Sequence, residues 1–144
     1  MEYKFYGADV DGLEVLRSEF DKVSDVRVLY DYLSKIWSRM TCAPRLRPLW
    51  SEENKTLGQC SITSFLIQDI FGGEVYGVPL NDGGFHCFNI VNDKVFDLTS
   101  EQFGNVELNY TKKYPQSREK HFSVQEKFDR YNILKTQLLN ALNK

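Results

Sequence analysis

Histidine is scarce in this sequence: there are two, His86 and His121, in 144 residues. With no CxxC and no HExxH spacing either, a structural zinc site is not expected. Cysteine is equally sparse. Cys42, Cys60 and Cys87 are odd in number and without paired spacing, which excludes a disulfide framework and fits a reducing, cytosolic setting. No apolar run reaches the length of a membrane span, and the opening Met1-Glu2-Tyr3-Lys4 lacks the apolar stretch of a secretory signal. The net charge of −2 offers no general attraction to nucleic acid or anionic lipid. Arg39, Arg45 and Arg47, around the prolines of a bend, read as a solvated loop. Internal repeats and low-complexity linkers are also missing.

What is present fits one domain over residues 1–144, with 42% hydrophobic and 14% aromatic residues. Residues 1–23 show no clear period. From Ser24 to Met40, Val26, Leu29, Leu33, Ile36, Trp37 and Met40 recur on one helical face, with Ser24 as expected N-cap. Pro44 and Pro48 prevent continuation. A second helix is expected over Gln59–Phe71, burying Ile62, Phe65, Leu66 and Ile70 and ending at a left-handed cap on Gly72-Gly73. Strands follow at 74–79, 85–91 and 94–98, then a helical turn at 100–103 and a polar, basic loop. A last helix from Ser123 to Leu142 opens on a Ser123/Glu126 capping box. Helices flanking an antiparallel hairpin make the fold class α+β.

Cys60 carries the strongest chemical signal. Gly58 permits a tight turn, and Cys60 then falls in the first turn of a helix. Unpaired N–H groups and the helix dipole there favour thiolate, the nucleophilic form, and can also stabilise an oxyanion. Asn54 or Gln59 would add a side-chain donor, and Trp50, which opens the preceding loop, joins them as a site-supporting residue.

His86 and Asp97 supply the partners. If the hairpin turns on Asn92-Asp93, Val91 faces Lys94 and Phe88 faces Asp97. His86 and Asp97 are then diagonal neighbours on one face, roughly 7–8 Å apart at the backbone. Asp97 would hold one imidazole nitrogen while the other turns to Cys60. A three-residue loop without a bulge would separate them onto opposite faces. Asn89 is an alternative orienter, although its side chain points away in this register. Cys87 points to the opposite face from His86 and reads as core, which argues against it as a resolving partner for Cys60. Cys42 reads as structural, His121 as solvent-exposed before the last helix, and Asp69 as facing solvent or capping a backbone group. Tyr110 and Tyr114 read as a tyrosine-rich surface loop.

The spaced set Trp50, Asn54, Gly58-Gln59-Cys60, then Asp69-x-Phe71-Gly72-Gly73, Gly84-x-His86-x-x-Asn89 and Asp97-Leu98-Thr99-x-x-Gln102-Phe103 resembles the YunG-like family of small bacterial proteins. The ending SREKHFSVQEKFDRYNILKTQLLNAL is similar as well, so the resemblance spans about residues 50–142. It implies a papain-like core of the transglutaminase/NlpC-P60 kind, with the nucleophile's helix on a small antiparallel sheet. The expected function is a thiol hydrolase or acyl/amine transferase acting through Cys60, His86 and Asp97. It would need no cofactor or metal and would take an unknown peptide, protein or small amide. The alternative is a binding module with an idle cysteine.

Overall fold

The computed structural model describes residues 2–144. Four strands, β1 (Glu74–Pro79), β2 (Phe85–Val91), β3 (Lys94–Phe96) and β4 (Tyr114–Pro115), form one antiparallel sheet in the order β3-β2-β1-β4. Helices α1 (Val26–Ile36), α2 (Cys60–Phe71), α3 (Arg118–Phe122) and α4 (Gln125–Leu142) complete a mixed α+β fold. The main core draws on residues from Phe5 to Leu142.

Helix α2 lies at its centre. Ile62, Phe65, Leu66 and Ile70 are buried as the spacing predicts, but so are Thr63, Ser64, Ile67 and Phe71. The helix is enclosed between β2 on one side and α4 on the other, so only Cys60, Ser61, Gln68 and Asp69 keep partial exposure. Gly72 ends it at φ 81°, as expected of a glycine cap, yet its ψ of −148° lies outside the left-handed helical basin.

Two helix boundaries differ from the sequence expectation. Helix α1 is capped by Asp25, whose carboxylate accepts from the Arg27 and Val28 N–H groups, not by Ser24. It stops at Ile36 because Trp37 turns extended, its indole donating to Thr63 Oγ1 at 3.0 Å. Met40 is consequently exposed. The last helix is split. Ser117 caps α3, Ser123 donates its hydroxyl to the Lys120 carbonyl, and Glu126 pairs with Arg130, so the expected capping box does not form. Val124 and Phe128 are exposed, while Tyr131, Leu134, Leu138 and Leu142 are buried.

The hairpin follows the sequence closely. Val91 pairs with Lys94, Ile90 with Val95 and Asn89 with Phe96. Asn92 and Asp93 occupy φ 51° and 66°, the paired positive values of a two-residue type I′ turn. Gly58 is also at positive φ (74°), and a Cβ there would lie 2.5 Å from Cys42 Sγ and 2.9 Å from Ala43 N. Glycine is therefore required for the loop to deliver Cys60 against this wall.

Candidate active site

Cys60 is the first residue of α2, so its N–H has no carbonyl one turn earlier to bond. Its half-buried thiol lines a cleft of about 560 Å³ together with His86, Cys87, Gln102, Phe103 and His121. His86 and Cys87, adjacent residues of β2, both act on the sulfur in this cleft.

The structure joins His86 to Asp97. His86 Nε2 and Asp97 Oδ2 are 2.6 Å apart, with both side chains about 1% exposed. The carboxylate occupies Nε2, which leaves Nδ1 for Cys60. Asp97 is itself held from several directions. Its Oδ2 accepts from the Tyr110 hydroxyl at 2.7 Å, and Oδ1 accepts from Thr99 N and Oγ1 at 3.1 and 3.2 Å. The Asp97 N–H donates to the Tyr6 carbonyl at 2.9 Å. The Phe103 ring meets the His86 ring edge-on at 4.7 Å, limiting its rotation.

Electrostatics follow from these contacts. The Cys87 S–H donating to Cys60 holds the Cys60 thiol well below the usual thiol range; burial opposes this, and His86 adds a further donor and positive charge. Keeping that proton, and being buried, pushes Cys87 well above the same range. Burial alone disfavours an imidazolium at His86. The Asp97 charge and hydrogen bond, helped by Cys60, outweigh it and push His86 up to about 10. Burial and the Asp97 charge raise Tyr110. Both directions favour a thiolate beside an imidazolium.

Several expected roles are corrected. Gln59 is fully buried and its amide donates to the Ser38 carbonyl at 3.0 Å, so it ties the start of α2 to the preceding segment and does not face the cleft. Trp50 donates to the Lys55 carbonyl, and neither it nor Asn54 lines the cleft. Asn89 points away from His86, as the register predicts, and donates to the Ser64 carbonyl on α2. Cys87 is core, but it does not stand apart from Cys60. Helix α2 packs across the face carrying Cys87, Asn89 and Val91, which brings the Cys87 thiol to Cys60.

Tyr110 is not a surface tyrosine; it is buried against Tyr6 and Phe88 with its hydroxyl on Asp97. Nothing local in the sequence marks it, because its partner arrives from another element. His121 is half-buried in the cleft. Its Nε2 lies 2.8 Å from Gln116 Oε1 and its Nδ1 2.8 Å from Lys127 Nζ. Burial, then the Lys127 charge, push it down to about 4, so the ring is neutral. Asp69 meets Arg118 at 3.0 Å and the Tyr131 hydroxyl rather than solvent. Arg39 and Arg45 are exposed, as the solvated reading expects, Arg39 donating to the Arg47 carbonyl and Arg45 pairing with Asp82, whereas Arg47 is half-buried and donates to the Cys42 and Met40 carbonyls.

Among the described residues, no cluster of three or more His, Cys, Asp or Glu could hold a metal ion. Among the same residues no helix is long and apolar enough to cross a membrane.

A family model described as "YunG protein" matches residues 25–143. A curated protein of Bacillus subtilis (strain 168), "Uncharacterized protein YunG", is 38% identical over 90 residues, covering 62% of this chain and 71% of that protein. No solved structure matches.

Proposed function

We propose that this chain, which belongs to the YunG family, is a thiol hydrolase or acyl/amine transferase on a papain-like core. One observation carries the reading: a buried His86, fixed by Asp97 through Nε2, shares a cleft with a half-buried cysteine at a helix start. The Cys60 thiolate attacks an amide, ester or thioester carbonyl. A C–S bond forms, and the carbonyl π pair moves to oxygen, which the Cys60 N–H stabilises. The tetrahedral intermediate collapses, its bond to the leaving group breaks, and His86 Nδ1 donates a proton to that group. Water, or an amine in transfer, then attacks the thioester while His86 takes back the proton, and Cys60 is released as thiolate. Asp97 keeps the imidazole oriented and balances its charge. Peptides, proteins and small amides all fit this chemistry.

The test is acylation. Mixed with p-nitrophenyl acetate, the protein releases nitrophenolate and carries an acetyl group on Cys60, seen by mass spectrometry of the modified peptide. Cys60→Ser abolishes both. An unacylated Cys60 with the fold intact sinks the proposal and leaves a binding module with an idle thiol.

The neighbouring Cys87 favours a second reading, peroxide sensing. Hydrogen peroxide oxidises the Cys60 thiolate to a sulfenic acid, releasing one water after protonation. Cys87 sulfur then attacks, the S–S bond forms, and a second water leaves. Peroxide-treated protein loses about 2 Da, whereas Cys87→Ser instead gives a Cys60 sulfenate trapped by dimedone. A wild-type mass that only gains oxygen overturns this reading.

A further inference from the structure

We infer that the cleft beside Cys60 selects substrates bearing a carboxylate close to the reacting carbonyl, and that Lys127 is the residue that pairs with it. The inference rests on the thiol-enzyme reading above and adds a substrate class to it. Every cation around the cleft but one has a carboxylate partner. Arg45 meets Asp82 at 3.8 Å, Arg130 is bound to Glu126, and His86 is bound to Asp97. Lys127 lines the same cleft, is half-buried, and makes no ion pair among the described residues.

Its ammonium is nonetheless held in place. Gln116 Oε1 accepts from His121 Nε2, which makes Nδ1 an acceptor, and Lys127 Nζ donates to it at 2.8 Å. The His121 ring is fixed in turn by Phe65, at 5.1 Å between ring centroids. One N–H of the ammonium is used on a neutral acceptor, and two remain. The Cys60 thiolate shares the cleft, but its charge is lost once the sulfur is acylated, and a partly desolvated cation is then costly unless a ligand supplies the anion. The rest of the wall is largely apolar, with Leu57, Leu80, Phe85 and Phe103, and would surround the remainder of such a substrate.

Two alkylating reagents of similar size test this without knowledge of the natural substrate. Iodoacetate carries a carboxylate beside the reacting carbon; iodoacetamide carries a neutral amide there. The rate of Cys60 labelling by each is followed by mass spectrometry of its peptide at pH 8.5, where even an ordinary thiol reacts. The ratio of the two rates cancels any change in Cys60 acidity or nucleophilicity. That ratio should be about three- to tenfold higher in the wild type than in Lys127→Gln, with the difference shrinking as salt is raised. Lys127→Arg should retain most of the wild-type preference. An unchanged ratio in Lys127→Gln, or a Cys60 that neither reagent reaches, overturns the inference. Failure of the thiol-enzyme reading looks different: Cys60 titrates like a free thiol with both reagents, while the ratio still reports on Lys127.

Discussion

His86→Ala should slow iodoacetamide labelling of Cys60 by about tenfold at pH 6 and have little effect by pH 9. At pH 6 a thiol of ordinary pKa near 8.5 is under about 1% thiolate, whereas one paired with an imidazolium is largely ionised. The population advantage is thus about two orders of magnitude, and the weaker intrinsic nucleophilicity of a low-pKa thiolate takes back part of it. By pH 9 most of the mutant thiol is ionised too, and the more basic thiolate is the better nucleophile, so the two curves converge or cross. Cys87 is unchanged in the mutant and should keep some of the acidity. His86 is buried, so His86→Gln, which preserves more volume, guards against a merely structural effect. Identical pH profiles in all three proteins, with midpoints near the free-thiol value, would sink the ion pair.

Asp97→Ala should be among the most destabilising single substitutions in the chain, at about 3–5 kcal/mol, because it removes the buried ion pair and leaves an imidazole N–H and a buried hydroxyl without their acceptor. In a domain of this size that is roughly 10–15 °C in Tm, readable by circular dichroism. Asp97→Asn, which keeps the shape and one acceptor oxygen, should lose less. A loss under about 1 kcal/mol in Asp97→Ala would mean that the network contributes little.

The pH dependence carries its own sign. The folded-state pKa of His86 lies near 10, above its ordinary 6.5, so its contribution is complete below 6.5 and is lost as pH rises through 10. Cys60 works the other way: its pKa is depressed, so its contribution is present above the ordinary thiol range and is lost as pH falls. Between about pH 6.5 and 9 the two oppose each other. Above about pH 9 the Cys60 gain is complete, the His86 loss is joined by that of the raised Cys87 and then of the raised Tyr110, and stability falls. In Asp97→Ala the stabilised imidazolium is gone, and that alkaline fall should flatten. Urea melts at pH 8, 9 and 10 measure it.

What the sequence reveals is whatever depends on neighbours along the chain. Gly58 and the apolar spacing after it put Cys60 at a helix start, and Asn92-Asp93 adopts the positive φ values of a two-residue turn. Once that turn is fixed, period-two alternation places His86 and Asp97 on one face, and their side chains meet. Helix ends were less legible because caps compete: Asp25 displaces Ser24, and Ser117 begins a helix that ends before the Ser123 box can form.

Only the tertiary structure decides what comes from elsewhere in the chain. The side of β2 on which α2 lies determines that Cys87, not only His86, reaches Cys60. The long connection after Asp97 folds back to set the Tyr110 hydroxyl on its carboxylate. The junction of α3 and α4 turns His121 and Lys127 into the cleft. Periodicity, turn chemistry and capping are local and can be read from a few adjacent residues. The docking of one element on another is set by the summed burial of side chains far apart in sequence, and no short stretch encodes it.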